Sequence, residues 1–448
     1  MADVFSYAAG DLLQGSFAFA RRTSEGIADW LSREGMNAPQ AAKTLATVLQ
    51  TCADSLKRRI EAEFQRIASG GDVDPDTLLG FNKCVSTLQD TAEMLEQSAH
   101  RSLHPVLSPT VQSLLSSLNI DHPVLVAGTR KANEYELHPL QRQLFEPLVE
   151  NDDALDGPSW PFLIFLVPRP PLDWPIHYCM LFHEIGHALF ADRAIVQNVV
   201  VPTPPEYTPS GDDLDHFVEV ALQQAKFQNL ALAWLEEIFA DIFALFTIGP
   251  TYLLAFCRVV GGAVPLSHCT QTHPPTALRI VIMSWLASER FYSSQVPSAV
   301  ENALNGWIGL AFDVYGQSSY TTESTVEPFL RSLIETVPLL VETLVSEVEQ
   351  NLGPQLCSMA ETAEDGKRAD LIHRLNIPAV EASRIPTFDN SLPLDAARIF
   401  AANCLAFYQE EGSDIVDRSS RMNEHGARLL NSLDAAEALR AWQRQTAP

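Results

Sequence analysis

The chain of 448 residues carries a formal net charge of -26. Its hydrophobic content of 46% and charged content of 19% are ordinary for a folded globular protein with a substantial core. The strong negative charge argues against nucleic acid or an anionic membrane surface as a partner.

Residues 1–118 are predicted to form an N-terminal helical region. Apolar residues recur there at heptad-like spacing, first in residues 41–68 and again in residues 78–99. Acidic side chains come early and no basic segment precedes an apolar run, so we expect no secretory signal.

Residues 119–288 are predicted to form the core, beginning with strands. Two short runs, residues 123–130 and 160–170, are rich in β-branched or aromatic side chains and are bounded by proline and charge. The second strand, at residues 162–167, ends shortly before an apolar helix. We therefore expect a small sheet beside that helix, with a strand edge that can pair with an extended peptide.

The apolar helix, residues 174–193, contains the motif HEIGH. His183 and His187 are four apart, so both imidazoles lie on one helical face and can bind one metal ion. Glu184 points to a neighbouring side, from which it can reach a metal-activated water without being a ligand. Gly186 weakens a helix, so we expect it to serve close packing.

A second helix, residues 214–247, contains the sequence WLEEIFADIFA. Glu237 and Asp241 lie four apart on one face among apolar side chains, where burying two carboxylates without a cation is costly. We predict that Glu237 is the third metal ligand. Asp241 is then the acceptor for the far ring nitrogen of a metal-binding histidine. Glu236 is expected to point elsewhere, to the surface or a cleft wall.

These residues, HExxH followed by ExxxD, resemble the gluzincin zinc metallopeptidases. The segment THPPTALRI, residues 272–280, narrows the resemblance to the prenyl-protease-like and heat-shock-type peptidases, over about residues 160–285. The resemblance implies that His273 approaches the substrate carbonyl oxygen and that Arg279 braces the segment or the site. Residues 289–448 form a predicted C-terminal helical region that matches no family.

The predicted fold class is therefore α+β, mainly helical, with a zincin-type core. The predicted function is a zinc-dependent endopeptidase that binds one zinc ion through His183, His187 and Glu237. Glu184 acts as the general base on a peptide bond of a protein substrate, and His273 assists.

Cysteine usage and hydropathy predict the compartment. Seven scattered cysteines without a CxxC pair are expected to be reduced, mostly buried thiols of a cytoplasmic protein. The long apolar stretch at residues 242–264 is interrupted by Gly249 and Pro250 and contains Arg258. We expect a buried helical pair there and no membrane insertion.

Two alternatives use the same residues. The chain could be a catalytically silent regulatory or scaffold protein that keeps a metallopeptidase fold. It could also be a dormant protease whose terminal helices block the cleft until a regulatory partner or a signal frees it.

Overall fold

The computed structural model describes most of the chain, namely residues 2–34, 38–98, 106–129, 135–150, 152–168, 175–204, 207, 214–261, 263–291, 298–317, 320–353, 356–357, 359–375, 393–409, 425, 427–431 and 433. The described residues are mainly helical with a small sheet, which confirms the predicted α+β class. The chain forms two compact units, Met1–Gln112 with Asp121–Arg169 and Ser113–Ile120 with Pro170–Pro448. The division thus falls near residue 169, whereas the sequence predicted boundaries near 118 and 288.

The N-terminal helices follow the predicted apolar spacing. In α2, the positions Leu45, Leu49, Cys52, Leu56 and Ile60 recur at helical intervals and are all buried. They join the hydrophobic core of the first unit. The helices of this part are α1 (Ala2–Arg33), α2 (Gln40–Ala68), α3 (Pro75–Ser98) and α4 (Leu107–Ser117).

The sheet of the first unit consists of β1 (Val124–Thr129), β2 (Glu136–Leu140) and β3 (Phe162–Pro168) in the order β1-β3-β2. β1 runs parallel to β3, and β2 runs antiparallel to it. The two predicted strands are confirmed, whereas β2 was not predicted. β3 is the central strand, so both of its edges are already paired. The prediction that its edge accepts a substrate peptide is therefore wrong.

The second unit contains the predicted motif helices. They are α5 (Pro175–Asp192), α6 (Leu214–Ile248), α7 (Pro250–Val259) and α8 (Thr276–Arg290). Two short strands, β4 (His268–Cys269) and β5 (Thr321–Thr322), pair in parallel. The later helices are α9 (Ser298–Gln317), α10 (Leu330–Thr336), α11 (Val341–Leu352), α12 (Met359–Leu375) and α13 (Pro393–Gln409).

Helices α5 and α6 approach each other closely at Gly186. A Cβ atom at this position would lie 2.7 Å from the Cα atom of Ala240 and 3.1 Å from its Cβ atom. Only a residue without a side chain fits so close to the backbone of α6. The glycine therefore serves close packing, as predicted, and brings the HEIGH motif against the carboxylates of α6.

A sharp turn joins α6 to α7. Gly249 has φ 66° and ψ -158°, a backbone conformation that glycine adopts readily and other residues avoid. Pro250 follows at the first position of α7, where its missing N–H costs no hydrogen bond. The apolar stretch at residues 242–264 is thus a buried helical pair, as predicted. Among the described residues, no helix is long and apolar enough to cross a membrane.

Helix α13 packs against α5. The ring of Phe400 lies 5.3 Å from that of Phe182 and 6.4 Å from that of Tyr178. Beside them, the Sγ atoms of Cys179 and Cys404 lie 3.3 Å apart. Six of the seven cysteines are buried, which agrees with the prediction of mostly buried thiols.

Candidate metal centre

The two histidines of the HEIGH motif face each other across one side of α5. The Nε2 atoms of His183 and His187 lie 3.1 Å apart. His183 is 5% exposed, and the adjoining residues of α5 are buried on every side. The helical spacing thus brings two ring nitrogens to one point, as predicted.

Glu237 of α6 completes the group. Its Oε2 atom lies 3.3 Å from His183 Nε2, and its Oε1 atom lies 3.5 Å from His187 Nε2. One ligand atom from each of these three residues lies within 4.8 Å of the others. The structure therefore brings together the three predicted metal ligands.

Each histidine has a carboxylate on its far ring nitrogen. Asp241 Oδ1 lies 3.0 Å from His183 Nδ1, which is the contact predicted for this residue. Glu236 Oε1 lies 3.0 Å from His187 Nδ1, with its side chain 40% exposed. The prediction that Glu236 points elsewhere is therefore wrong. The two ring nitrogens of an imidazole point in different directions, so neighbouring residues of α6 can contact opposite ends of the pair.

Arg279 of α8 holds the buried carboxylates. It donates from Nε to Asp241 Oδ2 at 2.6 Å and from Nη2 to Asp241 Oδ1 at 2.8 Å. Its Nη1 atom lies 3.1 Å from Glu237 Oε2, and its guanidinium lies 4.6 Å from the ring centre of Phe256. The bracing contact expected of Arg279 is thus made to the site itself. A paired planar guanidinium is well suited to this buried position.

Tyr252 of α7 is part of the same network and was not predicted. Its hydroxyl donates to Asp241 Oδ1 at 2.6 Å and lies 3.2 Å from His183 Nδ1. In the sequence it stands in an ordinary apolar run, TYLLAFC, which gives no sign of a polar role. Only the return of the chain at Gly249 brings it to the site.

His273 lies at the exposed rim. Its Nε2 atom lies 3.4 Å from Glu237 Oε1, and its side chain is 56% exposed. The preceding turn is tied to α6, because Trp234 Nε1 donates to the carbonyl oxygen of Thr270 at 3.0 Å. The backbone N–H of His273 donates to Thr270 Oγ1 at 3.0 Å. The structure therefore places His273 beside the ligands, where a substrate can reach it.

Glu184 is 4% exposed, and its charge contributes to raising the pKa of His187. It therefore lies near the ligand pair, as a proton acceptor must. The remaining histidines of this region have other settings. Burial lowers the pKa of His177 from 6.5 to about 4. His268 lies on the short strand β4.

The charges of the centre compensate one another. Burial alone would lower the pKa of His183, but hydrogen bonds and charge from Asp241 and Glu237 raise it above its ordinary value. Burial would raise the pKa of both carboxylates, but the positive charge of Arg279 holds both pKa values below the usual range. The site thus keeps ionised carboxylates next to the imidazoles, which is the state that binds a cation.

The residues fit a zinc ion. Two ligands on a tetrahedral zinc with bonds of about 2.0–2.1 Å lie about 3.4 Å apart, close to the 3.1, 3.3 and 3.5 Å separations seen here. Glu237 Oε2 is buried and makes no hydrogen bond, although it lies near Arg279 and His183. An ionised oxygen without a hydrogen bond in this position is explained by a metal ion. Two imidazoles and one carboxylate are also a ligand set of catalytic zinc.

No family model, curated protein or solved structure matches this chain in the comparisons.

Proposed function

We propose that the chain is a zinc-dependent endopeptidase of gluzincin type that hydrolyses peptide bonds of a protein substrate. The observation that carries this proposal is the convergence of His183, His187 and Glu237 beside Glu184. The ligand atoms lie within 4.8 Å of one another, and each histidine also has a carboxylate on its far nitrogen. A buried carboxylate next to the ligand pair supplies the base that hydrolysis needs.

A bound zinc ion would supply a Lewis acid that activates a water molecule and polarises the substrate carbonyl. Glu184 accepts the proton of the attacking water and then donates it to the leaving amine. His273 donates a hydrogen bond to the carbonyl oxygen as negative charge develops there. Its place at the exposed rim suits this role, because a bound peptide must enter from that side.

The surrounding network keeps the ligands ready. Asp241 and Glu236 each accept from one Nδ1 atom, so both Nε2 lone pairs face the metal position. Arg279 compensates the charge of Asp241 and Glu237 within the buried part of the site. These contacts orient the ligands before metal or substrate arrives.

The structure bears on how a dormant form could be built. The contacts of α13 with α5 are made through Tyr178, Cys179 and Phe182. At 100° per residue, these positions lie on a different side of α5 from His183 and His187. Helix α13 therefore supports the metal helix, and its removal should destabilise the unit more than it opens a cleft.

Protein loaded with zinc tests the proposal when it is incubated with a peptide library and the new termini are identified by mass spectrometry. We expect chelator-sensitive cleavage by the wild type and a loss of about 10²–10⁴-fold in Glu184→Gln, since glutamine cannot accept the proton. Zinc content and melting temperature should stay near wild type. Glu219→Gln, the same change at an exposed position of α6, is the control and should cleave normally.

Two results would contradict the proposal. Equal chelator-sensitive cleavage by the wild type and Glu184→Gln would exclude this residue as the base. Zinc-loaded wild type that cleaves no library peptide would favour the catalytically silent regulatory or scaffold protein.

A further inference from the structure

Tyr252 is fully buried near the start of α7. The left-handed conformation of Gly249 reverses the chain after α6, and α7 then begins at Pro250. This reversal returns the phenol ring to the side chains of α6. The ring is nearly parallel to that of His183, at 8° and with ring centres 6.4 Å apart.

The hydroxyl of Tyr252 has two polar neighbours, and both belong to the metal centre. It donates to Asp241 Oδ1 at 2.6 Å. It also lies 3.2 Å from His183 Nδ1, the ring nitrogen that faces away from the ligand group.

The hydrogen atoms of this group can be assigned by elimination. Asp241 is ionised, because Arg279 donates to both of its oxygens, and an ionised carboxylate only accepts. The single phenolic hydrogen of Tyr252 therefore goes to Asp241. The tyrosine oxygen then offers only lone pairs to His183, so Nδ1 must carry a hydrogen. The lone pair of His183 is left on Nε2, the atom that faces His187 and Glu237.

We propose that Tyr252 is a positioning residue for the metal, because its hydroxyl, with Asp241, holds His183 in the tautomer whose Nε2 atom binds zinc. The inference rests on the proposed zinc centre and adds a residue from a third helix to it. It explains why a hydroxyl stands in an otherwise apolar helix. A phenylalanine would pack as well against the neighbouring buried side chains but would leave Asp241 and His183 without this partner.

A second buried tyrosine in the same unit provides a matched control. The hydroxyl of Tyr207 donates to the carbonyl oxygen of Pro328 at 3.0 Å, outside the metal centre. Tyr207→Phe and Tyr252→Phe thus remove the same atom and one buried hydrogen bond each. A purely structural role would make the two variants behave alike.

The experiment measures zinc affinity by competition with a chromophoric chelator, together with the melting temperature of metal-free protein. We expect Tyr252→Phe to weaken zinc binding about 10–100-fold, as is typical when a partner of a ligand is lost. Tyr207→Phe should stay within about twofold of wild type, although both variants lose similar thermal stability. Equal zinc affinity in the two variants would overturn the inference.

A measurement on the wild type does not depend on the folding of a variant. Nitrogen NMR of zinc-loaded, histidine-labelled protein reports which ring nitrogen of His183 carries a hydrogen, with the assignment made from contacts to the Tyr252 ring. Hydrogen on Nδ1 supports the inference, and hydrogen on Nε2 overturns it. If the wild type binds zinc without cleaving peptides, the proposed hydrolase fails while the positioning role stands. If it binds no zinc, both fail.

Discussion

Replacing Gly186 by alanine tests whether the close approach of α5 and α6 sets the geometry of the metal centre. The new Cβ atom would lie 2.7 Å from the Cα atom of Ala240, about 0.7 Å inside an ordinary van der Waals contact of 3.4 Å. The opposing atom belongs to the backbone, so it cannot rotate away. The helices must separate by a similar amount. Zinc–ligand distances tolerate only about 0.2 Å, so the zinc ligands on opposite helices should lose their alignment.

Two opposing effects decide the stability of Gly186→Ala. The higher helix propensity of alanine contributes about 1 kcal/mol, whereas overpacking a rigid contact costs about 3 kcal/mol at the top of its usual range. The clash should win, and the free energy of unfolding should fall by about 1–2 kcal/mol. Zinc affinity should fall at least about tenfold, comparable to losing a partner of a ligand.

Urea denaturation of metal-free protein and chelator competition measure the two effects separately. Gly306→Ala is the matched control, because it adds the same methyl group to an exposed position of α9 with nothing within 4 Å. It should gain about 0.5–1 kcal/mol and keep its zinc affinity. The reasoning is refuted if Gly186→Ala is as stable as Gly306→Ala and binds zinc like the wild type.

Three further predictions concern the charges of the second unit. Arg279→Gln should destabilise metal-free protein by about 3–5 kcal/mol, because it leaves two buried carboxylates without their cation. Zinc should restore part of this loss, and equal melting with and without zinc would contradict it. Asp241→Asn should weaken zinc binding about 10–100-fold, and Glu236→Gln less, because the Glu236 side chain is 40% exposed and that of Asp241 only 1%. The reverse order in chelator competition would refute this ranking. His177 has its pKa lowered to about 4 by burial, so its contribution to stability is complete above pH 6.5 and declines as the pH falls towards 4. The loss should approach about 1.4 kcal/mol per pH unit in urea denaturation and be absent from His177→Gln; identical pH profiles would contradict it.

The helical part of the site could be predicted because local spacing determines it. His183 and His187 share a face of any α-helix, and so do Glu237 and Asp241. Two buried carboxylates also require a positive partner, which leads directly to the histidine pair. The separations in the structure agree with this local reasoning.

The remaining contacts depend on tertiary packing, which helical spacing does not give. Glu236 lies on another side of α6 from Glu237, yet it reaches the outer nitrogen of His187 because α5 passes so close. Tyr252 reaches the site only through the turn at Gly249. Neither contact has a sequence signal beyond the residue types themselves.

Strand pairing shows the same limit. β3 was recognisable from its apolar and β-branched residues, but which strands flank it could not be read from them. β2, with the sequence ELHPL, contains a proline and no β-branched residue, so it gave no strand signal. It is nevertheless an edge strand, where a proline is tolerated. Its pairing occupies the edge of β3 that had been expected to bind substrate.

Elemental analysis of purified protein tests the zinc centre most directly. The wild type should contain about one zinc per chain, held by His183, His187 and Glu237. His183→Ala should lose most of it. His268→Ala, which removes an imidazole from β4, should retain it. Equal zinc in the wild type and both variants would contradict the proposed centre.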